Sequence, residues 1–210
     1  MTAIAVIAKA PAAGRSKTRL CPPCTPEQAA TLAAAALTDT LAAIEATPAS
    51  RRVVVLDGSP GAWLVRGFEV IPQRGVGLAE RLEAAFADLG GPALVVGMDT
   101  PQLNPRLLSD ALRRIARADA VLGPALDGGY WAIGLRHAGD GVFAGVPMSD
   151  PETCAVQRAR LRALGLKTDE LPALRDVDDI ADGRAVAALA PRSRFARTLA
   201  ALRLPEAIAA

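Results

Sequence analysis

The sequence predicts an α/β fold in which a mostly parallel sheet carries helices on its faces. Short apolar runs, several rich in β-branched residues, recur along the chain. Amphipathic helical stretches lie between some of them, and the helix starts carry cap-plus-proline signals. The 210 residues suit one domain spanning 1–210 and are ample for a hydrophobic core.

The elements follow in order. Strands are expected at residues 4–8, 53–56, 93–97, 120–122 and 130–135, with a late short strand at 167–171. Thr25-Pro26-Glu27-Gln28 supplies an N-cap threonine, a proline at the first helical position and a glutamine at the capping-box position. A helix should run from there to about residue 46. Another is expected over about 78–89, ended by Gly90-Gly91. Asn104-Pro105 opens a third, over 107–116, and Asp150-Pro151-Glu152 repeats the signal before a fourth that ends near Gly165. From Ile180 to the C-terminus two helices are expected, broken near Pro191.

Composition narrows the function. Twenty-four basic and 22 acidic residues leave a net charge of +2, which offers no nucleic-acid-coating surface. Lysine occurs only at Lys9, Lys17 and Lys167, so two of the three fall in one N-terminal loop. Cys21, Cys24 and Cys154 make no disulfide framework. Cys21-Pro-Pro-Cys24 has the spacing of a zinc half-site, but there is no second pair and His137 is the only histidine. The cysteines read as reduced thiols of a cytoplasmic protein. The apolar start lacks a basic flank and is cut short by Lys9, so it reads as a strand and not as a signal peptide. No apolar run is long enough to span a bilayer.

Three segments carry candidate chemistry. The first is the loop after the first strand, Lys9-Ala10-Pro11-Ala12-Ala13-Gly14-Arg15-Ser16-Lys17-Thr18-Arg19-Leu20. In an α/β sheet such a loop sits at the carboxyl edge, where ligands bind. Gly14 permits close backbone approach, Lys17 and Arg19 bring positive charge, and Ser16 and Thr18 bring hydroxyls, a combination suited to a polyphosphate. The spacing is neither that of a Walker A loop nor that of a dinucleotide fingerprint. The plainer alternative is a solvated basic loop.

In the second segment, Gly97-Met98-Asp99-Thr100-Pro101, an apolar strand ends in a carboxylate at the same edge. Asp99 beside phosphates suits Mg²⁺ or Mn²⁺; its alternative is a turn aspartate. Asp176 and Asp178, two apart in Asp176-Val177-Asp178-Asp179, offer a second set of ligands, or Asp178 or Asp179 caps the following helix. In the third, Asp127-Gly128-Gly129-Tyr130, a sharp turn either places Asp127 and Tyr130 against an acceptor or is only a hairpin turn.

Taken together, these segments resemble the radical-SAM/selenodomain-associated transferase family, glycosyltransferase-like proteins of the nucleotide-diphospho-sugar transferase superfamily. The chain is similar, more distantly, to 2-phospholactate guanylyltransferase and molybdenum cofactor guanylyltransferase. The resemblance runs nearly full length, through Asp176-Val177-Asp178. It implies a GT-A-like three-layer α/β/α fold with a mostly parallel central sheet. It implies phosphates held at the loop of Lys9, Gly14, Arg15, Lys17, Thr18 and Arg19, and metal at Asp99 with Asp176 and Asp178. Gln73-Arg74-Gly75-Val76-Gly77-Leu78-Ala79-Glu80-Arg81 resembles the family's nucleotide-side segment, which adds Leu78 and Arg81, although Ala79 stands where the family has glycine. Asp127, Gly128, Gly129 and Tyr130 would face the acceptor. Met148-Ser149-Asp150 stands where the family often has Trp-Ser-Thr.

The implied activity is metal-dependent transfer from a nucleotide-sugar to a small-molecule acceptor. The alternatives are nucleotidyl transfer from a nucleoside triphosphate, with release of pyrophosphate, and a non-catalytic nucleotide-binding module. In both reactions Lys17, Arg19 and the metal at Asp99 would neutralise a phosphate leaving group. Asp127 is the candidate general base.

Overall fold

The computed structural model describes residues 2–204. The expected tail extends to the C-terminus, and its last six residues lie outside the described ones. Seven strands form one sheet in the order β3-β2-β1-β4-β6-β5-β7, with β1 at Ala3–Lys9, β2 at Arg52–Asp57, β3 at Glu69–Pro72, β4 at Ala93–Gly97, β5 at Ala120–Pro124, β6 at Tyr130–Leu135 and β7 at Thr168–Glu170. Only β6 runs against the others, between β4 and β5. The register sets Lys9 beside Asp57 and Ile7 beside Gly97, which lines up the carboxyl ends of β1, β2 and β4.

Alternation along the strands separates two cores. Ile4, Val6 and Ala8 of β1, with Val54, Leu94 and Val96, meet Leu37, Leu41 and Ile44 of α1 (Pro26–Glu45) and Leu108 and Ile115 of α3 (Pro105–Ile115). Ala3 and Ala5, with Val53, Val95 and Ile133, meet Leu82 and Phe86 of α2 (Gly77–Leu89) and Leu161 of α4 (Thr153–Ala163). Burial on both faces explains why the strands read as continuous apolar runs. A third cluster lies outside the sheet. There Leu20, Leu32 and Ala36 pack against Val177, Val186 of α5 (Ile180–Leu189) and Phe195 of α6 (Arg194–Ala201).

The caps at α1 and α3 form as expected. Thr25 and Gln28 close a capping box, and Asn104 Oδ1 accepts from the Leu107 amide at 3.0 Å. Two expectations need correction. Asp150 does not cap α4. Residues 150–152 form a turn in which Asp150 Oδ1 accepts from Glu152 N at 2.8 Å, and the helix starts at Thr153. The Thr153 hydroxyl instead ties this loop together, donating toward the Pro147 and Asp150 carbonyls and accepting from Asp150 N. The second correction is β3, which the sequence reading lacks. It is a four-residue edge strand whose side chains are half-buried or exposed and which ends in proline, so it carries little apolar periodicity.

Candidate functional site

The loop after β1 closes on itself before it reaches the site. The amides of Arg15 and Ser16 both donate to the Ala12 carbonyl, at 3.1 and 3.0 Å. The buried Ser16 hydroxyl accepts from Ala12 N at 3.0 Å and faces the Ala10 carbonyl at 3.4 Å. Gly14 turns the chain at φ 71°. Lys17 follows in the left-handed region at φ 50°, an uncommon conformation for a residue with a side chain. A short 3-10 turn, Thr18–Leu20, then buries Leu20 as an anchor in the third cluster.

This geometry turns Lys17 inward. Its side chain is 10% exposed, against 75% for Arg19. The Lys17 ammonium lies 3.0 Å from Asp99 Oδ1 and 3.6 Å from Asp178 Oδ1, and it donates to the Val177 carbonyl. Asp99 Oδ1 is shielded from solvent and has no donor in hydrogen-bonding alignment, so the contact with Lys17 is an ion pair without a formed hydrogen bond. Arg19 reaches the other oxygen of Asp178 at 3.0 Å. Arg15 and Thr18 line the small pocket of about 260 Å³ over this loop, beside Lys9.

The segment carrying Asp176 and Asp178 is strapped to the sheet edge by backbone. Val177 N donates to the Asp99 carbonyl at 2.9 Å, Leu174 N to Pro124 O at 3.0 Å, and Leu126 N to Leu174 O at 3.0 Å. Asp179 caps α5, accepting from Asp182 N at 2.9 Å, so neither Asp176 nor Asp178 is spent as the cap. Carboxylate oxygens of Asp127, Asp176 and Asp178 all lie within 4.8 Å of one another. Burial pushes the Asp176 carboxyl up to about 6, and Asp127 and then Asp178 push the same way, against its backbone hydrogen bond and Lys17. The sequence reading assigned Asp127 to the acceptor side; the structure also brings it into this acidic group.

The main cleft, about 630 Å³, opens between these carboxylates and the β6–α4 region. Its floor includes Val95, Val96, Trp131 and Ile133, and Tyr130, Met148 and Asp150 line it as well. Burial raises the Tyr130 hydroxyl well above its usual range, and its nearest polar partner is Gln157 Oε1 at 3.5 Å. The turn of Asp127, Gly128 and Gly129 is a close-packed wall. Gly128, at φ 92°, would place a Cβ 2.0 Å from the Pro151 carbonyl oxygen, and its own carbonyl accepts from Cys154 N at 2.8 Å. Glycine is required there by packing between two loops.

On the other side, Leu78 is 39% exposed at the cleft. Arg81 donates to Asp57 at 3.1 Å and to Gln73 Oε1 at 3.0 Å, while Gln73 Nε2 donates to the Ala8 and Val55 carbonyls. Arg81 therefore fixes the β2 and β3 ends. Asp57 and Thr153 are structural parts of the site that sequence reasoning missed. The position of Asp57 at a strand's carboxyl end was the available signal, and nothing local marked Thr153. The cysteines are unpaired, and burial raises the Cys24 thiol, with Cys21 adding to the rise, which is the wrong direction for a reactive thiolate.

Asp99, Asp127, Asp176 and Asp178 line the cleft with carboxylate oxygens, the donors preferred by hard divalent cations. With the shielded, unaligned oxygen of Asp99 and the close trio beyond it, these residues fit Mg²⁺ or Mn²⁺. No helix among the described residues is long and apolar enough to cross a membrane.

Comparison with known proteins agrees with this architecture. A solved structure from Desulfovibrio desulfuricans G20, provisionally named a nucleotide-diphospho-sugar transferase, is similar over 96% of this chain and 94% of that one, with 28% identity and a TM-score of 0.85. The 2-C-methyl-D-erythritol 4-phosphate cytidylyltransferase of Thermus thermophilus shares the fold at 18% identity and TM-score 0.59, over 91% of this chain and all of that one. Rv0371c of Mycobacterium tuberculosis H37Rv, solved in complex with manganese, does so at 21% and 0.53, over 88% and 97%. No curated protein matches the chain in sequence. A family model matches residues 29–150, more than half of the chain, and the protein belongs to that family, described as an uncharacterized protein conserved in bacteria, DUF2064.

Proposed function

We propose that this protein is a metal-dependent transferase that uses a nucleotide-sugar as donor, within one nucleotide-diphospho-sugar transferase-like domain. The resemblance to the radical-SAM/selenodomain-associated transferases belongs to this reading. One observation carries it: Lys17 and Arg19, from the loop after β1, converge on Asp99 and Asp178 at the mouth of a cleft on the sheet's carboxyl edge. Cations and carboxylates interleaved in this way suit a diphosphate together with a divalent ion.

In this reading Lys9, Gly14, Arg15 and Thr18 surround the phosphates, and Lys17 and Arg19 stabilise the charge that develops on the departing nucleoside diphosphate. Asp99, Asp176 and Asp178 would hold Mg²⁺ or Mn²⁺, which supplies further neutralisation of that leaving group. Leu78 and Arg81 shape the nucleotide side. Asp127, Gly128, Gly129 and Tyr130 form the acceptor wall, with Asp127 as the candidate base. The unpaired cysteines suit the reducing cytoplasm as its setting.

Incubation with Mn²⁺ and a panel of nucleotide-sugars and nucleoside triphosphates, with assays for nucleoside diphosphate and pyrophosphate, tests the proposal. Nucleoside diphosphate is the expected product. Pyrophosphate would reassign the protein as a nucleotidyltransferase, and binding without turnover would make it a binding module.

A further inference from the structure

The Lys17 ammonium occupies a nest of three oxygens: Asp99 Oδ1 at 3.0 Å, Asp178 Oδ1 at 3.6 Å and the Val177 carbonyl, its hydrogen-bond acceptor. Two carboxylates and a carbonyl are also a ligand set for a hard divalent cation. The nest does not depend on the lysine for its shape. Asp99 and Val177 are joined through backbone at 2.9 Å, and the preceding residues are tied to β5 and its turn. The side chain is a flexible four-carbon stem, and its backbone sits in a left-handed conformation at φ 50°. Arg19 also pairs with Asp178 but is three-quarters exposed and makes no ion pair with Asp99.

An ammonium and a divalent ion cannot share this nest, because they repel at contact distance. A phosphate on the β1 loop gives the ammonium a competing anionic partner. We infer that Lys17 is an internal stand-in for the metal. Without nucleotide it fills the position between Asp99 and Asp178 and weakens metal binding. When donor phosphates draw it onto the loop, the carboxylates are released. Metal and nucleotide then bind as a coupled pair, and Lys17 works in two places, first as counter-ion and then as phosphate ligand. This rests on the proposed metal and nucleotide site.

The test is Mn²⁺ binding to nucleotide-free protein, followed by calorimetry and by the electron paramagnetic resonance of free Mn²⁺. Lys17→Met is expected to bind Mn²⁺ at least about tenfold more tightly than wild type, a gain well below the gross attraction between opposite charges at this separation. Adding Asp99→Asn to that variant should remove the gain. Arg19→Met should gain less. Thermal melts check folding, and Lys17→Gln repeats the test with a neutral polar side chain. Equal or weaker nucleotide-free affinity in both Lys17 variants, with Mn²⁺ still binding wild type in the presence of UDP, overturns this inference alone. No Mn²⁺ binding by any protein, with or without UDP, overturns the metal part of the proposed function along with it.

Discussion

Gly128→Ala isolates how tightly the turn at the proposed acceptor wall is built. The new Cβ would fall 2.0 Å from the Pro151 oxygen, 2.6 Å from its carbonyl carbon and 2.8 Å from its Cα, all backbone atoms that cannot rotate away. Relieving that overlap means parting the turn from residues 150–154, at a cost typical of overpacking, about 1–3 kcal/mol. The backbone at φ 92° adds about 1–2 kcal/mol for any residue with a side chain. A loss of about 2–5 kcal/mol is therefore expected, a large share of a typical domain's stability. Two companion variants separate the contributions. Gly14→Ala, at φ 71° with no atom within 4 Å of its Cβ, should lose only the backbone part. For Gly129→Ala the nearest atoms belong to the Asp127 side chain, at 3.1 Å and beyond, so it should lose less than Gly128→Ala. Urea denaturation with unchanged m-values measures all three. If Gly128→Ala costs no more than Gly14→Ala, the contact with Pro151 is not the constraint described, and the rigid wall goes with it.

Further outcomes are expected at the charged centre. Lys17→Ala should weaken UDP binding by about tenfold or more while leaving uridine binding nearly unchanged, as expected for a charge-assisted phosphate contact; equal losses by calorimetry would count against a phosphate role. Asp99→Asn should abolish the Mn²⁺ dependence of nucleotide binding, and an unchanged dependence would remove Asp99 from the proposed metal site. In EDTA, the raised carboxyl of Asp176 makes the folded state bind more protons than the unfolded one, so stability should fall as pH rises from about 4 through about 6. Asp176→Asn should flatten that fall, being more stable than wild type at pH 7.5 and little changed at pH 4 in parallel urea titrations. A parallel pair of pH profiles would refute the assignment.

Much of the fold was legible because its signals are local. Residues 93–97 and 130–135 form strands at the expected boundaries, and Thr25 and Asn104 cap helices as their spacing implies. β3 was not legible, because a four-residue edge strand with only its two central residues half-buried draws its order from pairing with β2 more than from its own pattern. At the site, the edge location of Lys17, Arg19 and Asp99 followed from strand order alone. The partnership of Lys17 with Asp178 did not, since it joins residues from opposite ends of the chain through a side chain that bends inward from a left-handed backbone. That Asp179, rather than Asp178, caps the following helix was visible only with its side chain placed on the Asp182 amide.

The strap between the two ends of the chain also bears on timing. Lys17 and the carbonyl that accepts from it are 160 residues apart. During synthesis the β1 loop emerges first, and its last oxygen partners emerge only after all seven strands have been made. A chain stopped before Asp176 would hold every strand of the sheet yet lack Asp176, Asp178 and the helices that cover Leu20 and Leu32. Such a fragment would present a sticky apolar surface to chaperones and would lack two of the carboxylates that line the cleft, so the arrival of the C-terminal segment both seals the molecule and completes its cleft.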